Sequence, residues 1–241
     1  METSTTEDAL LHGRIQLRQP RRGYRVAVDA VLLAAATAPP PGARVLDLGA
    51  GVGAVGLCLA ARIKDCRVVC MELQPALADL AAHNAQANGM ADRVQIVVHD
   101  IAETLPAALG KFACVATNPP YLAAAVADPS PDPGKALATV ESSADLRRWL
   151  EVATDALEAA GTLTLVHRSD RLDEIAAHLA RLGWGGLVVK RLPPAPRVLI
   201  RARRGRGLQL RESPPLTLHK PNGGYTDEAE AVLRRAAPII F

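Results

Sequence analysis

The chain has 241 residues, of which 49% are hydrophobic, 22% charged and only 3% aromatic, with a formal net charge of +3. That length suits one α/β domain with extra arms; so few aromatic rings exclude a platform that stacks many bases, and the mild basicity permits nucleic acid without demanding it. No apolar run is long enough to span a membrane, and Cys58, Cys66, Cys70 and Cys114 form no C-x-x-C pair, which argues against zinc or another bound metal.

Residues 1–41 read as an N-terminal arm. Its opening is acidic and polar, without the apolar core of a signal peptide, so a cytoplasmic protein with reduced thiols is expected. Arginines follow at 14, 18, 21, 22 and 25, then a helix over 28–37 and a stop at Pro39, Pro40 and Pro41. Arg21, Arg22 and Arg25 are the candidate contacts for phosphates of a nucleic acid.

A repeated pattern occupies residues 42–211. Apolar runs at 43–49, 66–73, 93–100, 112–120 and 162–168 read as strands, and helical patterns at 53–64, 75–89, 145–161 and 172–183 alternate with them. Runs at 187–192 and 197–204, split by prolines, complete the set as a final hairpin. The expectation is a Rossmann-like α/β fold: a mostly parallel seven-stranded sheet with helices on both faces and a final antiparallel hairpin. Ligands of such sheets sit at the carboxyl ends of the strands. The non-periodic stretch 122–140 is either disordered or a lid on the substrate side. Residues 212–241 read as a C-terminal extension with a short helix.

The first strand ends in Asp47-Leu48-Gly49-Ala50-Gly51-Val52-Gly53, and Gly51 to Gly56 even satisfies G-x-G-x-x-G. Glycines here allow a tight turn and a ligand close to the backbone, but that match alone does not separate a dinucleotide from other nucleotides. Acidic residues do. Asp47, Glu72 and Asp100 end three successive strands. The two phosphates of NAD beside Asp47 would be repelled, whereas S-adenosylmethionine (SAM) brings an ammonium, a sulfonium and no phosphate. Asp47 then suits the ammonium, Glu72 the ribose hydroxyls and Asp100 the adenine amine. The expected cofactor contacts are Asp47, Gly49, Gly51, Gly53, Glu72, Leu73, Asp100, Ile101 and Asn118.

The fourth strand ends in Asn118-Pro119-Pro120-Tyr121. Two prolines remove two N–H donors, and the residue before a proline is held extended. Asn118 is thereby aimed outward at the strand end. Its side-chain oxygen and the Pro119 carbonyl suit a planar amine, whose lone pair is delocalised and whose nitrogen gains positive charge in the transition state. Tyr121 suits stacking on the flat group. These four are the expected catalytic residues, and Tyr121 also the expected substrate contact.

An NPPY tetrapeptide after a DLGAGVG loop resembles the class I amino-methyltransferases, which act on adenine or glutamine. The segments QPRRGYRVAVDAVLLA and PLTLHKPNGGYTDEAEAVLR narrow this: with them the chain resembles the bacterial tRNA(Val) adenine-N6 methyltransferase family from about Gly13 onward. The resemblance implies SAM as cofactor, tRNA as partner and methylation of an adenine exocyclic amine. It also implies that Tyr24 and Asp29 lie over the cofactor. A protein glutamine-N5 methyltransferase is the alternative enzyme, disfavoured by the short segment before the first strand. An RNA-binding protein that keeps SAM without turnover is the alternative of another class. The sequence leaves the oligomeric state open, with a monomer the simpler expectation.

Overall fold

A computed structural model describes residues 4–23, 25–121, 144–205 and 209–241. Tyr24 and the whole stretch 122–140 lie outside them. The chain opens with a β-hairpin, β1 (Thr5–Leu10) and β2 (Ile15–Pro20), followed by helix α1 (Val28–Ala36). The alternation then runs β3 (Arg44–Leu48), α2 (Ala54–Arg62), β4 (Arg67–Glu72), α3 (Pro75–Ala87), β5 (Val94–Val98) and β6 (Phe112–Thr117). Helix α4 (Leu146–Ala156), β7 (Leu157–Arg168), α5 (Leu172–Arg181), β8 (Trp184–Arg191), β9 (Arg197–Arg204), β10 (Gln209–Glu212) and α6 (Asp227–Arg235) follow.

The main sheet has eight strands in the order β10-β8-β9-β7-β6-β3-β4-β5. Among the described residues only β9 runs antiparallel, between β7 and β8. This is the expected doubly wound sheet with its final hairpin. It carries one strand more than the seven anticipated: β10, wholly exposed, pairs with β8. An exposed strand leaves no apolar periodicity to read. The order places the carboxyl ends of β3, β4, β5 and β6 side by side, so the residues that end these strands converge on one rim.

Two apolar layers cover the sheet. One joins α1 and α2 with Ile15, Leu17, Leu216 and Val232 of the terminal segments. The other joins α4 and α5 around Leu46, Met71, Phe112 and Ile200. Both terminal segments therefore share a core with the central unit, and the three-part division read from the sequence marks stretches of chain rather than separately packed bodies.

Two local corrections have physical causes. Residues 157–161 were expected to continue a helix, since Leu-Glu-Ala-Ala favours one. They instead begin β7, with Leu157 paired to Phe112 across a register shift and only 5% exposed. Sheet pairing overrides local propensity there. The N-terminal hairpin was not anticipated either. Its inward residues Ile15, Leu17 and Gln19 alternate, and Asn84 of α3 and Asn88, which caps that helix, hold β2. Asn84 and Asn88 each bond both the N–H and the C=O of one β2 residue, Arg18 and Gln16 respectively.

Candidate active site

A cleft opens at the strand rim, lined by the turn after β3, the end of β4, the residues after β5 and the residues after β6. Asp47, the fourth residue of β3, is 1% exposed. Its Oδ2 accepts the Gly56 N–H at 3.0 Å and lies 3.8 Å from the Cys70 Sγ. Burial, helped by the nearby Glu72 charge, pushes its carboxyl up to about 7. Glu72 ends β4. Its two oxygens accept the N–H groups of Gly51 at 2.8 Å and Gln74 at 2.9 Å, and burial raises its carboxyl as well. Asp100 accepts the Ala102 N–H at 2.8 Å, closing a turn rather than capping a helix.

All three carboxylates line the cleft, as do Gly49, Gly51, Leu73, Ile101, Asn118 and Pro120. Among the described residues that line it, none is a lysine or arginine. Two buried acids without a cationic neighbour fit a ligand that brings its own positive charge, as the ammonium and sulfonium of SAM do. A pyrophosphate fits poorly, because the Gly51 amide is already donated to Glu72.

The glycine turn has a tenant that sequence reasoning missed. At Gly49, φ is +78°, and an added Cβ would lie 2.3 Å from the Trp149 indole. Trp149 of α4, with His99 and Ala144, completes the cleft wall. Trp149 sat inside an anticipated helix, but no local signal aims it at a turn a hundred residues earlier.

Several expected contacts fall elsewhere. Gly53 does not line the cleft; it precedes α2 as its N-cap with φ +84°, and an added Cβ would press on Ala81 of α3 at 3.2 Å. Asp29 also lies off the cleft: Arg197 and Tyr121 bind its two oxygens. Pro119 and Tyr121 flank the cleft without lining it. Arg25 turns inward, bonding Asp8, Thr6 and the Pro20 carbonyl, so it braces the hairpin. Arg21 and Arg22 are exposed, and the Arg21 guanidinium meets the Ser4 hydroxyl.

A parallel sheet wound on both faces, with acids ending successive strands and an Asn-Pro-Pro-Tyr segment beside them, defines a class I SAM-dependent methyltransferase. Residues 27–178 match the family described as "Methyltransferase small domain". A protein of Aeromonas hydrophila named tRNA1(Val) (adenine(37)-N6)-methyltransferase is 32% identical over 213 residues, covering 86% of this chain and 87% of that one. The crystal structure of a "predicted O-methyltransferase" from Agrobacterium tumefaciens superposes with a TM-score of 0.71 at 25% identity, covering 88% of this chain and 98% of that one. The release factor glutamine methyltransferase of Deinococcus radiodurans is 36% identical over 170 residues, 68% of this chain but 59% of that protein. The chain belongs to the methyltransferase small domain family and, within it, to the bacterial tRNA(Val) adenine-N6 methyltransferase family. No helix among the described residues is long and apolar enough to cross a membrane.

Proposed function

We propose that this enzyme methylates the exocyclic amine of an adenine in tRNA, in the cytoplasm. The observation that carries the reading is that Asn118 and Pro120 line the same cleft as Asp47 and Glu72. SAM, when bound, supplies an electrophilic methyl group. Asp47 would hold its ammonium, Glu72 its ribose hydroxyls, and Leu73, Asp100 and Ile101 its adenine.

The chain's own residues then handle the acceptor. An adenine amine is a weak nucleophile, and positive charge grows on its nitrogen as the methyl moves. The Asn118 Oδ1 and the Pro119 carbonyl accept its two N–H bonds and hold that charge. Neither Pro119 nor Pro120 has an N–H to compete for those acceptors. Tyr121 stacks on the purine and sets its angle. No strong base is required, since the proton leaves after transfer. Arg21 and Arg22, exposed on the hairpin, meet tRNA phosphates.

The glutamine carboxamide is also planar and amino-bearing, and the Deinococcus relative makes it the second reading. One incubation separates them. Purified protein is mixed with labelled SAM, total RNA and total protein. Label in the tRNA fraction, released as N6-methyladenosine on digestion, is the expected result; label confined to protein overturns the tRNA reading.

A further inference from the structure

Tyr121 is held by residues that share no sequence neighbourhood. Its hydroxyl donates to Asp29 Oδ2 at 3.2 Å. Arg197 Nη1 donates to Asp29 Oδ1 at 2.8 Å. Its ring stands edge-on to His167, with centroids 5.2 Å apart and planes at 64°. Asp29 is in the first turn of α1, Arg197 opens β9 and His167 is the penultimate residue of β7. Asp29 is 4% exposed and His167 fully buried.

The two contacts restrain different motions. A tyrosine swings about its first side-chain torsion and spins about the second. The hydroxyl oxygen lies on the spin axis, so its bond to Asp29 stops the swing and leaves the spin free. A neighbour against the ring edge stops the spin. His167 supplies it, and burial holds its imidazole at about 4, so the ring stays neutral and brings no charge toward a cationic cofactor. Arg197 makes the arrangement affordable in electrostatic terms. A buried carboxylate without a partner is strongly disfavoured; burial drives the Asp29 carboxyl up, and the Arg197 charge opposes that shift. Asp29 thereby remains an acceptor for the hydroxyl.

We propose that Asp29, Arg197 and His167 are positioning residues that lock the ring plane of Tyr121 before substrate arrives. The inference rests on Tyr121 being the stacking residue of the reading above. It moves Asp29 from the cofactor to the acceptor side of the reaction and gives Arg197 and His167 work in catalysis without contact to either substrate.

The competing explanation is that the Asp29–Arg197 ion pair merely staples α1 to β9. A double-mutant cycle decides. In single-turnover transfer to tRNA at saturating SAM, Arg197→Gln is expected to slow the rate by about 10- to 100-fold, the scale of a small misplacement. Arg197→Lys recovers part of that loss, and SAM affinity by isothermal titration stays at the parental value. In a Tyr121→Phe background, where there is no hydroxyl to hold, Arg197→Gln costs about twofold or less. Equal losses in both backgrounds, or weakened SAM binding, overturn the proposal. A readout free of turnover keeps it separate from the functional reading. The chain has three tyrosines, so ring-13C-tyrosine protein gives few signals, and Tyr121→Phe assigns the relevant one. That signal should shift in Arg197→Gln and in His167→Phe. Its failure to move in either variant overturns the clamp. A parent that methylates no RNA sinks the functional reading, while the Tyr121 signal still decides the clamp.

Discussion

The two sides of the cleft are built in opposite ways. The cofactor side is mostly local, with Trp149 of α4 its distant exception: Asp47 sits two residues before the glycine turn, and Glu72 ends the next strand of the sheet. The acceptor side is assembled across the chain, from α1, the end of β6, β7 and β9. A local site tolerates change in distant elements, whereas an assembled one depends on the whole sheet holding its order. Cofactor binding should therefore survive mutations that abolish transfer.

The largest expected effect tests that separation at Asn118. In the proposed reaction its bond to the acceptor amine strengthens only as charge develops, so its loss would act on rate rather than affinity. Asn118→Ala should lower single-turnover transfer by about 100- to 1000-fold, by analogy with oxyanion-hole donors, and bind SAM as the parent does. Asn118→Asp keeps an acceptor and should retain more activity. Parental turnover in Asn118→Ala would reduce the tetrapeptide to a structural turn.

Next in size are the carboxylates of the cofactor side. Asp47→Ala and Glu72→Ala should each weaken SAM by about 1.5–3 kcal/mol, the range for a hydrogen bond to a charged group. Isothermal titration reads this directly. Unchanged affinity in both variants would remove the distinction between the two sides.

Acidity sharpens the same point. Burial pushes the Asp47 carboxyl up to about 7, so SAM affinity should rise from pH 6 toward 7.5 by up to about tenfold per unit below that value. Asp47→Asn should flatten the profile. Stability of the free protein runs the other way. The folded value lies above the ordinary 3.8, so the folded state holds this proton more tightly. That contribution is present below about pH 4 and lost as pH rises through about 7. Asp47→Asn should remove this loss, read as a smaller drop in melting temperature between pH 5 and 8.

The smallest effect lies on the hairpin. Replacing Arg21 and Arg22 together should reduce the salt dependence of tRNA binding by roughly 2 on a log–log plot, with melting temperature unchanged. Arg25→Ala should instead lower melting temperature, because its guanidinium bonds Asp8, Thr6 and Pro20 within the hairpin. If the two substitutions behave alike, the division between outward and inward arginines fails.

How much was legible in the sequence follows from the same contrast. The parallel sheet, the glycine turn and the three strand-end acids were readable, because each signal lies within a few residues of its consequence. Arg25 was placed at the site by its charge and Asp29 by resemblance, and their actual partners, Asp8 and Arg197, could not be read from spacing. Trp149 and His167 sat inside runs whose only visible message was "helix" and "strand". The hairpin carried a short alternation at Ile15, Leu17 and Gln19, a signal available but weak beside the neighbouring arginines. β10 left none, with every residue exposed.

The asparagine pair that grips β2 has a consequence for engineering. Residues two apart on a strand are about 6.6 Å apart, and residues four apart on a helix about 6 Å, so Asn84 and Asn88 match Gln16 and Arg18 in one alignment only. A slip by one residue would forfeit all four bonds and turn Ile15 and Leu17 to solvent. The register of β2 is thus set by α3 and not by the turn that precedes it. His12, Gly13 and Arg14 are exposed in that turn. A peptide tag or dye-bearing loop inserted after Gly13 should leave the strand, and the cleft behind it, where they are.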